Sequence, residues 1–80
     1  MKMYDLKNQK EFNAFKQEII EDIKECNQVD GSGFPLNEYD EPIDMDWLWE
    51  SYGHHLDESQ TGLGYQLFSE VIAFFKHKEN

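Results

Sequence analysis

Two long segments of the chain carry apolar residues at the spacing of a single helix face. In the first segment, separations of three and four residues connect Phe12, Phe15, Ile19, Ile23 and Cys26. Asn8, with Glu11 three positions later, is typical of a capping box at a helix start. The pattern therefore predicts a first helix over about residues 9–27, with Cys26 as a small residue of its core face.

The last apolar segment has the same spacing and predicts a helix from Leu63 to His77. Its periodic positions are Leu63, Tyr65, Phe68, Val71, Ile72 and Phe75. Lysine and histidine in the last turn complement the negative end of the helix dipole. We expect this helix to close the core against the first one.

A shorter helix is predicted between these two, from an Asp44 cap to about Tyr52. Gly53 follows in the position where a left-handed residue often ends a helix. The side expected to face the core comprises Ile43, Trp47 and either Leu48 or Tyr52. The side expected to lie opposite comprises Asp46, Trp49 and Glu50. On this interpretation one tryptophan is buried and the other is exposed.

The remaining segments lack a clear periodicity. Residues 27–42 contain two glycines, two prolines and an Asp-Gly pair, which predict an ordered loop. Three apolar side chains of this loop are expected to dock partly on the core: Phe34, Leu36 and Tyr39. Residues 1–6 are a candidate for a short strand with no evident partner, and residues 54–61 form a polar connector. The expected fold is mainly α. It is one small domain, residues 1–80, with two long amphipathic helices, one short central helix and a long loop between the first two.

Composition and charge restrict the classes of partner. The 80 residues are 39% hydrophobic, which is enough for one small core. The net charge of −10 is concentrated in residues 18–58, which contain thirteen acids and one lysine. Such a field repels nucleic-acid phosphates and anionic membranes and attracts basic surfaces. We therefore expect a basic protein partner and no direct nucleic-acid or membrane binding, with plain solubility as the alternative reason for the acidity.

Cysteine usage and hydropathy bear on the compartment. The single cysteine, Cys26, excludes an intramolecular disulfide. The N-terminal stretch MKMYDLKNQK has no apolar run typical of a signal peptide, and no segment approaches the ~20 apolar residues of a membrane span. We expect a cytoplasmic protein.

Motifs for catalysis or metal binding are weak in this sequence. His54 and His55, near Asp57 and Glu58, are zinc-ligand types, but neighbouring residues point in different directions and no second ligand pair is present. Calcium-loop windows that start at Asp30 or Asp44 place apolar residues at ligand positions. No phosphate-binding loop, dinucleotide fingerprint or nucleophile elbow occurs. We expect no enzyme activity, no metal and no cofactor.

The stretch from Asn37 to Gly53 holds six carboxylates and two tryptophans without a lysine or arginine. Its predicted partner-binding residues are Glu38, Asp40, Glu41, Asp44, Asp46, Glu50 and Trp49. A possible second patch on one flank of the first helix comprises Glu18, Asp22 and Glu25. Carboxylates arrayed on one coherent face can imitate phosphates before a basic groove, and Trp49 with Tyr39 or Tyr52 would add aromatic anchors. The alternative is that both tryptophans pack inward.

Residues Asp46-Trp47-Leu48-Trp49-Glu50, ending at Gly53, resemble the inhibitory helix of the barstar family of intracellular ribonuclease inhibitors. The resemblance covers about ten residues, and the parallel sheet of that family has no counterpart in this sequence. In size and acidity the chain is also similar to phage-encoded anti-CRISPR and anti-restriction inhibitors. Three hypotheses follow: a nucleic-acid-mimicking inhibitor of a nuclease or nucleic-acid-binding complex, a toxin immunity or antitoxin protein, and a small regulatory subunit whose acidity is incidental. Exposed Phe74 or Trp49 could also support a homodimer.

Overall fold

The structure is a computed structural model that describes residues 3–77. Three α-helices follow one another in this part of the chain: α1 spans Gln9–Cys26, α2 spans Met45–Tyr52 and α3 spans Thr61–His77. Two short 3₁₀ helices, Gly53–His55 and Glu58–Gln60, connect α2 to α3. The described residues contain isolated bridges but no strand. The predicted mainly helical fold, with two long helices and a short central one, is confirmed.

The start of α1 is capped largely as its sequence predicts. Asn8 Oδ1 accepts hydrogen bonds from the backbone N–H groups of Lys10 and Glu11, at 3.0 and 3.4 Å. In a capping box the Glu11 carboxylate would accept a hydrogen bond from the Asn8 N–H, but this bond is not formed here. The carboxylate accepts instead from the Asp5 N–H at 3.0 Å, because the Asn8 N–H already donates to the Asp5 carbonyl. The N-terminal segment is therefore folded back over the first turn of α1.

The end of α1 corrects the prediction for Cys26. The helix stops at Cys26, and the thiol is exposed instead of buried. Cys26 occupies the last helical position, where the chain turns into the loop, and it lines a surface depression with Glu38 and Asp40. Helical spacing placed it on the core face, but the core does not extend to the end of the helix.

The helices α1 and α3 lie side by side and run in the same direction. Lys16 of α1 pairs with Glu70 of α3 at 2.9 Å. Farther along both helices, the Lys24 ammonium lies 5.2 Å from the centre of the Phe74 ring. Buried side chains from all three helices, the N-terminal segment and the connector form the core: Tyr4, Leu6, Phe12, Phe15, Ile19, Ile20, Ile23, Ile43, Leu48, Leu56, Leu67, Phe68, Val71 and Phe75. None of the described helices is both long enough and apolar enough to cross a membrane.

The N-terminal segment packs against the connector without forming a strand over residues 3–6. Tyr4 and Leu6 are buried, and the buried Gln60 side chain bonds both of their backbones. Its Nε2 donates to the Tyr4 carbonyl at 2.7 Å, and its Oε1 accepts from the Leu6 N–H at 2.6 Å. The Tyr4 N–H donates to the His55 carbonyl at 3.2 Å. A side chain thus takes the place of a partner strand. Residues 1 and 2, also part of the predicted strand, lie outside the described residues.

The loop between α1 and α2 is ordered by its own hydrogen bonds. Bridges connect Val29 with Pro35 and Leu36 with Pro42. Of the three side chains predicted to dock on the core, Phe34 and Leu36 are half-buried, but Tyr39 is 77% exposed, so that part of the prediction is wrong. Tyr39 lies at the tip of a tight turn, where the backbone points its side chain away from the core.

The end of α2 also differs from expectation. Gly53 is right-handed, with φ −63° and ψ −23°, because the chain continues directly into the 3₁₀ helix Gly53–His55. The glycine serves a close approach instead. A Cβ at position 53 would lie 2.7 Å from Cε3 of Trp49. Gly53 therefore leaves room for a tryptophan ring.

Candidate functional site

The short helix α2 presents carboxylates at its start and along its outer side. Asp44 Oδ1 caps the helix by accepting from the Trp47 N–H at 2.9 Å. Asp46 in the first turn and Glu50 one turn later are both exposed. Anions near a helix N-terminus are stabilised by about 0.3–1 kcal/mol each through the helix dipole. This local effect favours the two acids at the start of α2, Asp44 at the cap and Asp46 in the first turn, despite their mutual repulsion.

A tight turn in the loop places further carboxylates beside α2. Asn37 Oδ1 accepts from the N–H groups of Tyr39 and Glu41, at 2.8 and 3.1 Å. The Asn37 N–H donates to the Glu41 carbonyl at 2.7 Å, which closes the turn. Side-chain oxygens of asparagine stabilise such turns by accepting from backbone groups a few residues on. The turn directs Glu38 and Tyr39 toward solvent.

The turn and the outer side of α2 together enclose an open depression with a volume of about 270 Å³, which we call the acidic hollow. Its lining consists of Asn37, Glu38, Tyr39, Glu41, Asp44, Asp46, Trp47 and Glu50. Five carboxylates of the predicted partner-binding set thus lie on one surface. The Trp47 Nε1 donates to Glu38 Oε1 at 3.3 Å, which joins α2 to the turn across the hollow.

Lysines of the described residues do not neutralise the acidic hollow. Within residues 3–77 the lysine–carboxylate pair is Lys16 with Glu70, and it lies between α1 and α3. The Lys16 hydrogen bond holds the pKa of the Glu70 carboxyl below its usual value. Lys24, the lysine nearest in sequence to the loop, lies over the Phe74 ring. The negative charge of the hollow is therefore left to solvent and counter-ions.

Two residues of the predicted set do not line the hollow. Asp40 lies at the turn with φ 62°, a left-handed conformation that aspartate tolerates better than most residues, and it borders the neighbouring depression that contains Cys26. Trp49 was predicted to lie on the outer side of α2, and this is wrong. Its ring packs against α3, 4.9 Å from the Phe68 ring and 5.2 Å from the Tyr65 ring between centroids. Neither tryptophan is fully exposed.

The second predicted patch lies on α1, where Glu18, Asp22 and Glu25 are all exposed. Tyr52 at the end of α2 is close to two of these acids. Burial, followed by the charges of Asp22, Cys26 and Glu18, raises the pKa of Tyr52 to about 12. Tyr52 also contacts Trp47 edge to face, with 6.1 Å between ring centroids. An aromatic pair thus connects the acidic hollow with the acidic flank of α1.

The structure adds members that the sequence patterns did not indicate. Asn37 and Trp47 line the hollow, and Trp47 also packs against the core, as its assignment to the core side of α2 predicted. An asparagine two residues before Tyr39 and four before Glu41 is a signal for such a turn, because its side chain can accept from both amides. No pattern on α2 distinguishes the surroundings of its two tryptophans.

His54 and His55 lie in the 3₁₀ helix that follows α2. The rings of His54 and His55 contact each other, with centroids 4.2 Å apart, and the His55 ring also packs edge-on against Phe15. Among residues 3–77, no group of three or more His, Cys, Asp and Glu side chains is arranged to hold a metal ion.

Comparisons with known proteins found no protein-family model, no curated protein and no solved structure that matches this chain.

Proposed function

We propose that this chain is a small, acidic, non-catalytic inhibitor that binds the basic, nucleic-acid-binding surface of a partner protein. The observation that carries the proposal is the acidic hollow, in which five carboxylates share one concave surface without a lysine partner among the described residues. The loop turn is held by Asn37, and α2 is capped by Asp44, so both carriers of these charges are structured before a partner arrives. A preformed site loses less conformational entropy on binding.

The physical basis is competition for cationic side chains. A protein that binds DNA or RNA presents lysine and arginine to phosphates, and charge-assisted hydrogen bonds form equally with carboxylates. Clustered negative charge accelerates encounter with such a surface, and the effect decreases as salt screens it beyond about 8 Å. Tyr39, at 77% exposure on the rim of the hollow, offers an aromatic contact of the type that often dominates binding energy.

The target class that fits best is a nuclease or another nucleic-acid-binding complex in the cytoplasm of a bacterium. A phage-type anti-CRISPR or anti-restriction protein would block the channel through which such a complex binds its nucleic acid. This role requires no metal, no cofactor and no reaction, only an acidic surface and a stable small fold. The chain supplies both in 80 residues with a net charge of −10.

The test is capture of partners from bacterial lysate at low and high salt, with matched charge reversals. Asp46→Lys changes an exposed first-turn acid of α2 in the hollow, and Glu58→Lys changes an exposed first-turn acid of the 3₁₀ helix Glu58–Gln60 by the same charge. Glu58 lies far from the acidic hollow. Its neighbours in the chain lie beside Glu11 at the start of α1, whereas Glu38 of the hollow lies beside Cys26 at the other end of α1, roughly 20 Å away.

We expect the wild type and Glu58→Lys to capture a nucleic-acid-binding protein at low salt, and Asp46→Lys to fail to capture it. Added DNA or RNA should displace the captured protein from the wild type. Equal loss with both variants would mean that only net charge matters, and the placement of the site would then be wrong. Circular dichroism of each variant shows whether it is folded.

A toxin immunity or antitoxin role is the second candidate, and the structure of residues 45–53 favours it. The stretch that resembles the barstar inhibitory helix is indeed helical, and Asp46 and Glu50 lie on its exposed side. The absence of strands among the described residues limits that resemblance to this helix. A toxin gene beside this one would favour immunity, and a prophage neighbourhood would favour the inhibitor. Capture of a complex without basic proteins would instead favour a regulatory subunit.

A further inference from the structure

An open apolar groove of about 570 Å³ adjoins the acidic hollow at Asp44, which lines both surfaces. Its apolar side chains come from the loop, from the segment before α2 and from the end of α3: Phe34, Pro42, Ile43, Ile72 and Phe75. We call this surface the apolar groove. Its volume falls within the ~300–1,000 Å³ that is typical of ligand-binding clefts.

The loop side of the apolar groove is ordered by hydrogen bonds within residues 30–43. The Ile43 N–H donates to the Pro35 carbonyl at 3.2 Å, and Asp30 and Phe34 exchange bonds, with the Asp30 N–H donating to the Phe34 carbonyl at 2.9 Å. The Phe34 N–H in turn donates to Asp30 Oδ1 at 3.0 Å. Phe34 and Ile72 remain half-buried in this arrangement. Covering them with another apolar group is favourable, because it removes their surface from water.

The rim of the apolar groove carries fixed charges. Asp30 and Asp44 lie on the loop and helix-start sides, and Lys76 lies on the α3 side. Hydrogen bonds from the Ser32 hydroxyl and from backbone amides lower the pKa of Asp30 and keep its carboxylate in place. The two carboxylates outnumber the single lysine on this rim, so the charged rim and the apolar lining together favour an occupant that combines an apolar group with a nearby cation.

We propose that the apolar groove receives a bulky apolar side chain of the basic partner protein, while a neighbouring lysine or arginine of that partner contacts Asp30 or Asp44. The inference rests on the proposed function, because it extends the same partner surface from the acidic hollow across Asp44. The hollow governs the rate of encounter, and the groove slows dissociation and selects one basic protein among many. A nucleic acid has no apolar side chain of this kind, so the groove favours a protein partner over a nucleic acid.

A second copy of this chain fits the apolar groove poorly. The large apolar side chain exposed on α3 near the groove is Phe74, and at 100° per residue it lies about 160° around the helix from Ile72. A two-fold dimer uses one surface patch on both copies, so it cannot place each Phe74 in the other copy's groove. Lys24 also covers the Phe74 ring.

The test is titration of the isotope-labelled full chain with three capped tetrapeptides, followed by backbone NMR shifts. The first peptide has leucine and phenylalanine between two arginines, the second has two serines between the arginines, and the third has leucine and phenylalanine between two glutamates. We expect the first peptide to shift Phe34, Ile43 and Ile72, the second to shift only residues of the acidic hollow, and the third to shift neither. Ile72→Ser should weaken the first peptide about fivefold or more, and Phe74→Ser, a matched change on the other flank of α3, less than about twofold.

The outcomes separate this inference from the proposed function. If Ile72→Ser has no effect while Asp46→Lys abolishes binding of the serine peptide, the groove proposal fails and the acidic hollow stands. If the glutamate peptide binds the groove as well as the arginine peptide, the rim charges do not select a cation and the proposal also fails. If Ile72→Ser acts as expected while Asp46→Lys changes neither arginine peptide, the groove stands and the proposed function fails. Unfolding curves for both serine variants confirm that loss of binding is not loss of fold.

Discussion

The two tryptophans of α2 lie two residues apart and are both half-buried against the core, but their neighbours differ. Trp49 fits against a glycine of α3 and a glycine of the 3₁₀ helix that follows α2. A Cβ added at Gly64 would lie 2.7 Å from its Cη2, and one added at Gly53 would lie 2.7 Å from its Cε3. Trp47 instead lies at the edge of the acidic hollow, where its Nε1 donates to Glu38. Within residues 3–77, Trp49 is therefore held by close packing alone, whereas Trp47 combines packing against the core and Tyr52 with one hydrogen bond to the polar surface.

The indole N–H groups of the two tryptophans also differ in their hydrogen bonding. Trp49 Nε1 is buried and has no hydrogen-bond acceptor in the part of the chain that the structure describes. Leaving a buried donor unpaired costs roughly 1–3 kcal/mol, so ring packing against Phe68 and the two glycines must outweigh that loss. The comparison teaches that residue type alone does not assign a side chain to core or to site. The space left by glycines on a neighbouring element does.

The largest expected effect comes from removing each tryptophan in turn. Trp49→Ala should destabilise the fold by about 3–5 kcal/mol, because it opens a cavity between α2 and α3. Trp47→Ala should cost about 1 kcal/mol, because its surroundings are partly solvent. Urea unfolding followed by far-ultraviolet circular dichroism measures both. Trp49→Phe keeps a ring and removes the unpaired N–H, so it should recover most of the loss. Equal costs for the two alanine variants would contradict the comparison.

The next effect comes from the glycine that receives Trp49. Gly64→Ala places a Cβ 2.7 Å from Trp49 Cη2 and 2.9 Å from Leu56 Cδ1, so we expect a loss of about 1–3 kcal/mol from overpacking. Gly62→Ala is the matched control on the same helix, with nothing within 4 Å of its Cβ. It should stabilise by up to about 1 kcal/mol through helix propensity. Thermal unfolding that shows the same sign for both variants would sink the close-packing explanation.

A smaller effect of opposite sign is expected on the outer face. Asp46 and Glu50 are four residues apart on α2, and like charges at this spacing destabilise a helix by about 0.2–0.5 kcal/mol. Glu50→Gln should therefore stabilise the chain by that amount at low salt and by less at high salt. Glu58→Gln, a first-turn acid outside the hollow, should show no gain. A gain that does not depend on salt would contradict an electrostatic origin.

The effect that vanishes at neutral pH concerns the aromatic link between the hollow and α1, because it appears only in alkaline solution. The pKa of Tyr52 in the folded chain is about 12, above the usual 10.0, so the fold favours the neutral phenol. That contribution is complete below pH 10 and is lost as the pH rises from 10 to about 12. Tyr52→Phe should make stability fall less steeply in this range. Asp22→Asn should lower the pKa of Tyr52 slightly, read from phenolate absorbance. An unchanged pKa of Tyr52 in Asp22→Asn would show that the α1 acids do not act on Tyr52.

The fold was largely predictable because its signals are local. Asn8 and Asp44 each cap a helix within three residues, and the period of the apolar positions in α1 and α3 is a property of single segments. The errors lie where a neighbour decides. On the eight-residue α2, apolar side chains point in most directions, so periodicity could not choose between Trp47 and Trp49. Cys26 had core spacing but lies beyond the end of the core.

The candidate site was predictable as a set of residue types and not as a surface. The density of acids between Glu38 and Glu50 is visible in the sequence. Which of them share the acidic hollow depends on the turn that Asn37 closes and on how that turn lies against α2, and Asp40 falls outside because its backbone reverses there. The apolar groove was not visible at all, since its lining comes from segments about forty residues apart in the chain.

The sequence by itself determined three helices, the N-capping residues of the first two and the mid-chain negative charge, because caps, periodicity and composition act over a few residues. Only the tertiary structure decided which side of α2 faces α3, since that choice follows from the gap at Gly53 and Gly64. By turning Trp49 inward, this packing leaves Asp46, Trp47 and Glu50 on the surface beside the loop turn. The excess of acids is a property of one stretch of sequence, but the acidic hollow forms only because the packing brings the loop turn and α2 together.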